Sequence, residues 1–274
     1  MKKLLYVIGG GILMAFALLC FFDFYFAWNS AGGMTAMRFA NDNFSTDMRF
    51  WFPVKESFYY LGIPSRFSFG DMIGSLFAPE KNYNHNVQYA GILRFTREDW
   101  LQLVIFAILA VVLIIKAIMP NLVSGKAVGV AFTALTILAA WVLVKDFVEQ
   151  CREMFGKDVY GNKREMWQYY YFGGREDVSK FRVFLCIALH AAQNLLLVAA
   201  FASMAAVCMI PGFKNLFFVP AFVAVLYAGF IFLCNLTGWG FALKWGFAAS
   251  LVFLIVDGLL AVGLFVTGMA AKDD

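Results

Sequence analysis

Asp257 stands at the middle of the apolar run LVFLIVDGLLAVGLF, and a carboxylate held in hydrocarbon there costs about 2.5 to 3.5 kcal/mol on insertion scales. It must be protonated or paired. The partners the sequence offers lie in KFRVFLCIALHAAQNLLLVAAFASMAAVCMIPG, residues 180–212, where His190, Gln193 and Asn194 stand at i, i+3 and i+4 and share one helical face. Counted from the starts of their helices, Asn194 and Asp257 come to similar depth and His190 about a turn nearer the preceding loop. Such a cluster could relay protons, pass an ion, or hydrogen-bond a quinone, lipid or pigment head. The plainer reading is an interhelical polar clamp worth about 1 kcal/mol, and it is preferred.

Asp23 adds polarity to the same half of the membrane, about five residues inside the end of the first apolar run. It could reach the interface, pair with Lys145 or Lys244, or form a polar entrance above the His190 cluster. No catalytic residue emerges beyond these. No serine sits in a nucleophile motif, no HExxH is present, and the carboxylates lack the spacing of a catalytic pair. The five cysteines contain no CxxC, His85 reads as a loop residue, and His190 has no second intramembrane histidine, so no metal site is expected. No cofactor is expected either; a lipid or a quinone is the small molecule the cluster would suit. The Gly173-Gly174-Arg175 stretch lacks the strand-to-helix setting of a phosphate loop. A net charge of +4, with basic and acidic residues interleaved, gives no basis for nucleic-acid binding.

The elements that must position these residues follow from composition. With 62% hydrophobic residues, 15% charged ones and a mean hydropathy of +0.74, the chain belongs to the polytopic membrane class. An all-α bundle of about six spans is expected, at residues 4–28, 101–119, 124–145, 182–210, 216–236 and 246–269. The first follows a Lys pair, exceeds a cleavable signal core in length, and reads as a retained helix. Cys20 lacks the small neighbour a lipid-anchor site needs.

Two long loops, 29–99 and 146–181, fall on one membrane face under strict alternation, and the termini fall on the other. All seven tryptophans lie on the long-loop side or at its interface. Trp51, and Trp167 with Tyr169, Tyr170 and Tyr171, mark aromatic-rich surfaces suited to a partner or to lipid headgroups. A capping pattern at Ser68 and Asp71 predicts a short surface helix, and a second, Thr96 with Asp99, precedes the second span. The spacing of Phe147, Val148, Cys151, Met154 and Phe155 continues the third helix beyond the membrane to Gly156.

Small residues point to close helix packing: alanines between 188 and 206, and Gly9, Gly10, Gly11, Gly258, Gly263 and Gly268, which read as contacts rather than hinges. No internal repeat aligns the two halves, which weakens a transporter reading. The leading expectation is a non-catalytic integral subunit or scaffold of a larger complex in a bacterial inner (plasma) membrane, partnered by other membrane subunits and by lipids. Two alternatives stay open: a solute, ion or proton translocator using the polar cluster, and a quinone-associated redox subunit. The lysines near the termini and short turns favour cytoplasmic termini, although the 146–181 loop is also basic.

Overall fold

A computed structural model describes residues 2–22, 25–30, 33–38, 97–155, 180–237 and 247–272. Six long helices run through them: α1 (Lys2–Phe22), α2 (Arg97–Ile118), α3 (Gly125–Phe155), α4 (Lys180–Met209), α5 (Val219–Thr237) and α6 (Phe247–Lys272). A short 3-10 helix, Pro211–Leu216, makes the turn between α4 and α5. Four stretches are long and apolar enough to cross a membrane: Leu101–Ile118, Gly125–Lys145, Ile187–Met209 and Leu254–Lys272; Val219–Cys234 is a shorter apolar helix. The chain is thus a helical integral membrane protein.

The helix ends differ from expectation where local chemistry decides. The third helix does continue past its apolar stretch, ending at Phe155. The first stops at Phe22, short of the expected residue 28, and the chain beyond it enters an antiparallel hairpin, β1 (Tyr25–Ser30) with β2 (Gly33–Arg38). Tyr25, Phe26 and Trp28 favour extended backbone over helix once the run of small and aliphatic residues is exhausted. The expected surface helix at Ser68, and the aromatic positions Trp51, Trp167, Tyr169, Tyr170 and Tyr171, lie outside the described residues.

The helices form a ring in which each packs on its neighbours in sequence and α6 closes back on α1. Connections of a few residues between α2 and α3, and between α4 and α5, enforce antiparallel neighbours. Along α2 the buried stripe runs Gln102, Phe106, Leu109, Leu113 and Ala117, while Val104, Ile108, Val111 and Ile118 point outward. Both faces are apolar, as lipid requires of one and packing of the other. Hydroxyls within the spans fold back on their own helices: Thr133 and Thr136 donate to the carbonyls of Gly129 and Phe132 at 2.9 and 2.8 Å, and Ser203 to Ala200 at 2.9 Å.

Ring closure depends on glycines. A Cβ added to Gly9 would stand 3.2 Å from the Thr267 backbone nitrogen, and one on Gly263 would stand 2.7 Å from Leu13. On Gly268 it would meet the Phe217 carbonyl oxygen at 2.6 Å, an atom that cannot swing aside. Gly11, by contrast, faces open space. Gly268→Ala is therefore expected to cost about 1 to 3 kcal/mol through overpacking, whereas Gly11→Ala is neutral or stabilising. Thermal unfolding of both variants in one detergent checks this; equal midpoints would refute the close-approach role.

Candidate functional site

Gln102, Gln193, Asn194 and Asp257 lie in the half of the bundle at which α2, α4 and α6 begin. Contacts between neighbouring helices fix how they stand against one another. Tyr6 Oη donates to Ala270 O at 3.2 Å, Gly9 faces Thr267 and Gly263 faces Leu13, so α1 and α6 run antiparallel in constant register. Gly10 faces Ala110 and Leu113, and the ring of Phe16 meets that of Phe106 at 5.9 Å. Phe106 in turn meets Phe201 of α4 at 6.1 Å, both pairs edge-on. These rings form a layer across α1, α2 and α4.

Counting from that layer toward the long loops, Gln102 lies four residues above Phe106, about 6 Å at 1.5 Å per residue. By the α1 register, Asp257 comes to the same level. Gln193 and Asn194 lie eight and seven residues above Phe201, about a turn nearer the long loops than Asp257. The similar depth expected of Asn194 and Asp257 is thus offset by about one turn. All four side chains are buried: Gln102 and Gln193 are fully enclosed, Asn194 is 2% exposed and Asp257 1%. Gln193, Asn194 and Asp257 are each engaged with a partner. The Gln102 amide makes no hydrogen bond among the described residues.

Lys145 closes the apolar stretch of α3, half-buried and engaged. Gly129 against Cys208 and Met209, and Thr133 Oγ1 at 3.7 Å from Met209 Sδ, set the antiparallel register of α3 and α4. Carried upward, that register brings Lys145 level with Gln193. The backbone of His190 belongs to α4, one turn above Asn194, but its side chain is outside the described residues, as are Asp23 and Lys244.

Three buried residues with polar groups, Gln102, Tyr227 and Thr267, were not apparent from sequence. Gln102 sits close to the charged start of α2 and reads there as part of the helix end. Its i+4 relation to Phe106 was the available signal. Tyr227 of α5 is fully enclosed, in a run so apolar that its ring reads as simple core. Thr267 is also enclosed, against Gly9.

These residues offer amide and carboxyl groups in a packed, buried setting. Such groups are able to fasten helices by hydrogen bonds. Among the described residues no group of three His, Cys, Asp or Glu could hold a metal ion. Fold and site together define a helical integral membrane protein with an internal polar layer. Comparison with models of protein families, with curated proteins and with solved structures finds no match to the chain.

Proposed function

We propose that the protein is a non-catalytic integral membrane subunit, a scaffold of six spans that docks partner subunits through the aromatic-rich segments 29–99 and 146–181. The supporting observation is that Gln102, Gln193, Asn194 and Asp257 are buried in the packed interior. Polarity used in this way joins helices. Six spans require α1 and α5 to cross as well. At 1.5 Å per residue their 21 and 19 residues reach about 32 and 29 Å, matching a hydrocarbon core of about 30 Å.

With six spans the termini and short turns share one side. That side carries Lys2, Lys3, Lys116, Lys126, Lys214 and Lys272. The positive-inside rule then favours cytoplasmic termini in a bacterial inner membrane. The test is purification of the tagged chain in native nanodiscs with mass spectrometry of what elutes alongside. Stoichiometric partner subunits, lost on deletion of residues 160–172, are expected; a clean monomer or homo-oligomer would overturn the reading.

The buried carboxylate of Asp257 favours a second reading, translocation of a proton, ion or small solute. Loss of transport in Asp257→Asn, with assembly intact, would select it. A quinone recovered with partner redox subunits would instead select the quinone-associated reading.

A further inference from the structure

Gln102 is fully enclosed, and neither its amide nitrogen nor its amide oxygen makes a hydrogen bond among the described residues. Buried amides in folded proteins are paired in the great majority of cases, because an amide taken out of water and left bare loses its hydration without return. Its surroundings limit what can meet that need. Gln102 stands one turn above Phe106 on the buried stripe of α2, and Asn194, Leu197 and Phe201 form one buried stripe of α4 at i, i+3 and i+7. The rings of Phe106 and Phe201 meet edge-on at 6.1 Å, so the two stripes face each other above that pair. Leu197 comes level with Gln102 and offers methyl groups alone. Asn194 lies three residues higher, about 4.5 Å at 1.5 Å per residue. Asp257, 1% exposed, reaches the depth of Gln102 on α6.

The amide's own chemistry narrows the occupant. It presents two N–H donors and an oxygen that accepts, so its complement must both accept and donate. Ester and quinone carbonyls only accept, and acyl chains do neither. Water does both, is the smallest species that does, and when buried makes about three hydrogen bonds to such groups. We propose that Gln102 holds an internal water between α2 and α4, at the depth of Asp257, accepting from the amide nitrogen or donating to the amide oxygen. Asn194 brings a second amide within a turn of it. The polar layer is then hydrated at its base. Directly below, the Phe16, Phe106 and Phe201 rings close the interior with apolar surface.

The proposal goes beyond the scaffold reading and does not rest on it, since an internal water serves a clamp between helices as readily as a path through them. Its test uses the full chain in nanodiscs, given a brief X-ray pulse that splits bound water into hydroxyl radicals, with mass spectrometry of the oxidised side chains. Phe106, one turn from Gln102, is the reporter. Phe132 of α3, equally enclosed and in the opposite half of the bundle, is the reference. Oxidation of Phe106 severalfold faster than of Phe132 is expected, falling to the Phe132 rate in Gln102→Leu. Gln102→Met, unbranched and of similar length, replaces that variant if it does not fold. Equal rates in the parent chain would overturn the proposal, because a protein side chain would then be meeting the amide. A faster rate at Phe106 that persists in both variants would overturn it as well, because Gln102 would not be what holds the water.

Discussion

Phe106→Ala is expected to lower the stability of the folded protein by about 3 to 5 kcal/mol, the range for emptying a large buried aromatic site. Phe106 is fully enclosed and is the middle ring of the chain linking Phe16 on α1 to Phe201 on α4. Its removal leaves both neighbours facing a void and also forfeits edge-to-face attraction of about 0.5 to 1.5 kcal/mol per pair. Neither lipid nor water fills such a gap at the centre of a ring of helices, so α1, α2 and α4 lose their common contact. Ile108→Ala supplies the reference. It lies two residues away on the same helix, is 53% exposed on the outward face, and trades one apolar contact for another with lipid. Unfolding of both variants in one detergent should separate them clearly. Equal stability would mean that the aromatic layer does not hold the bundle.

The second large effect is at Asp257. Asp257→Leu is expected to cost about 1 to 3 kcal/mol, because the group that Asp257 engages is left in an apolar interior without it. Asp257→Asn keeps the shape and the capacity to donate and accept, so it should stay within about 1 kcal/mol of the parent. The pair of variants separates a hydrogen-bonding role from one that needs the acid itself. If Asn proves as damaging as Leu in the same unfolding measurement, a clamp of neutral hydrogen bonds does not describe the site. If Leu is silent, the carboxyl is not fastening helices at all.

The candidate site was legible in part, for physical reasons that differ residue by residue. Asp257 announced itself because a carboxylate among aliphatic residues is costly wherever it faces. Gln193 and Asn194 stood out because two amides one residue apart cannot both look at lipid. Gln102 shares a buried stripe with Phe106, Leu109 and Leu113, yet every other face of α2 is apolar too, so the sequence has no contrast to say which side turns inward. In a soluble helix the polar face would have supplied that contrast. The same lack hid the enclosure of Tyr227 in α5.

What the sequence determined by itself was the class of protein and the course of its helices. Hydrogen bonding inside each segment makes a long apolar run a helix in lipid, whatever its neighbours do. α2, α3, α4 and α6 lie close to where composition put them, and the extension of α3 to Phe155 was written in the spacing of its apolar residues. Only tertiary structure decided how the ring closes. Gly9 against Thr267, Gly263 against Leu13 and Gly268 against the Phe217 carbonyl bring α6 onto α1 and the adjoining turn, while Gly11, in the same tandem, meets nothing. Identical residues thus take opposite roles. Close packing is a property of two surfaces meeting, and in a membrane the hydrophobic effect does not choose which surfaces they are.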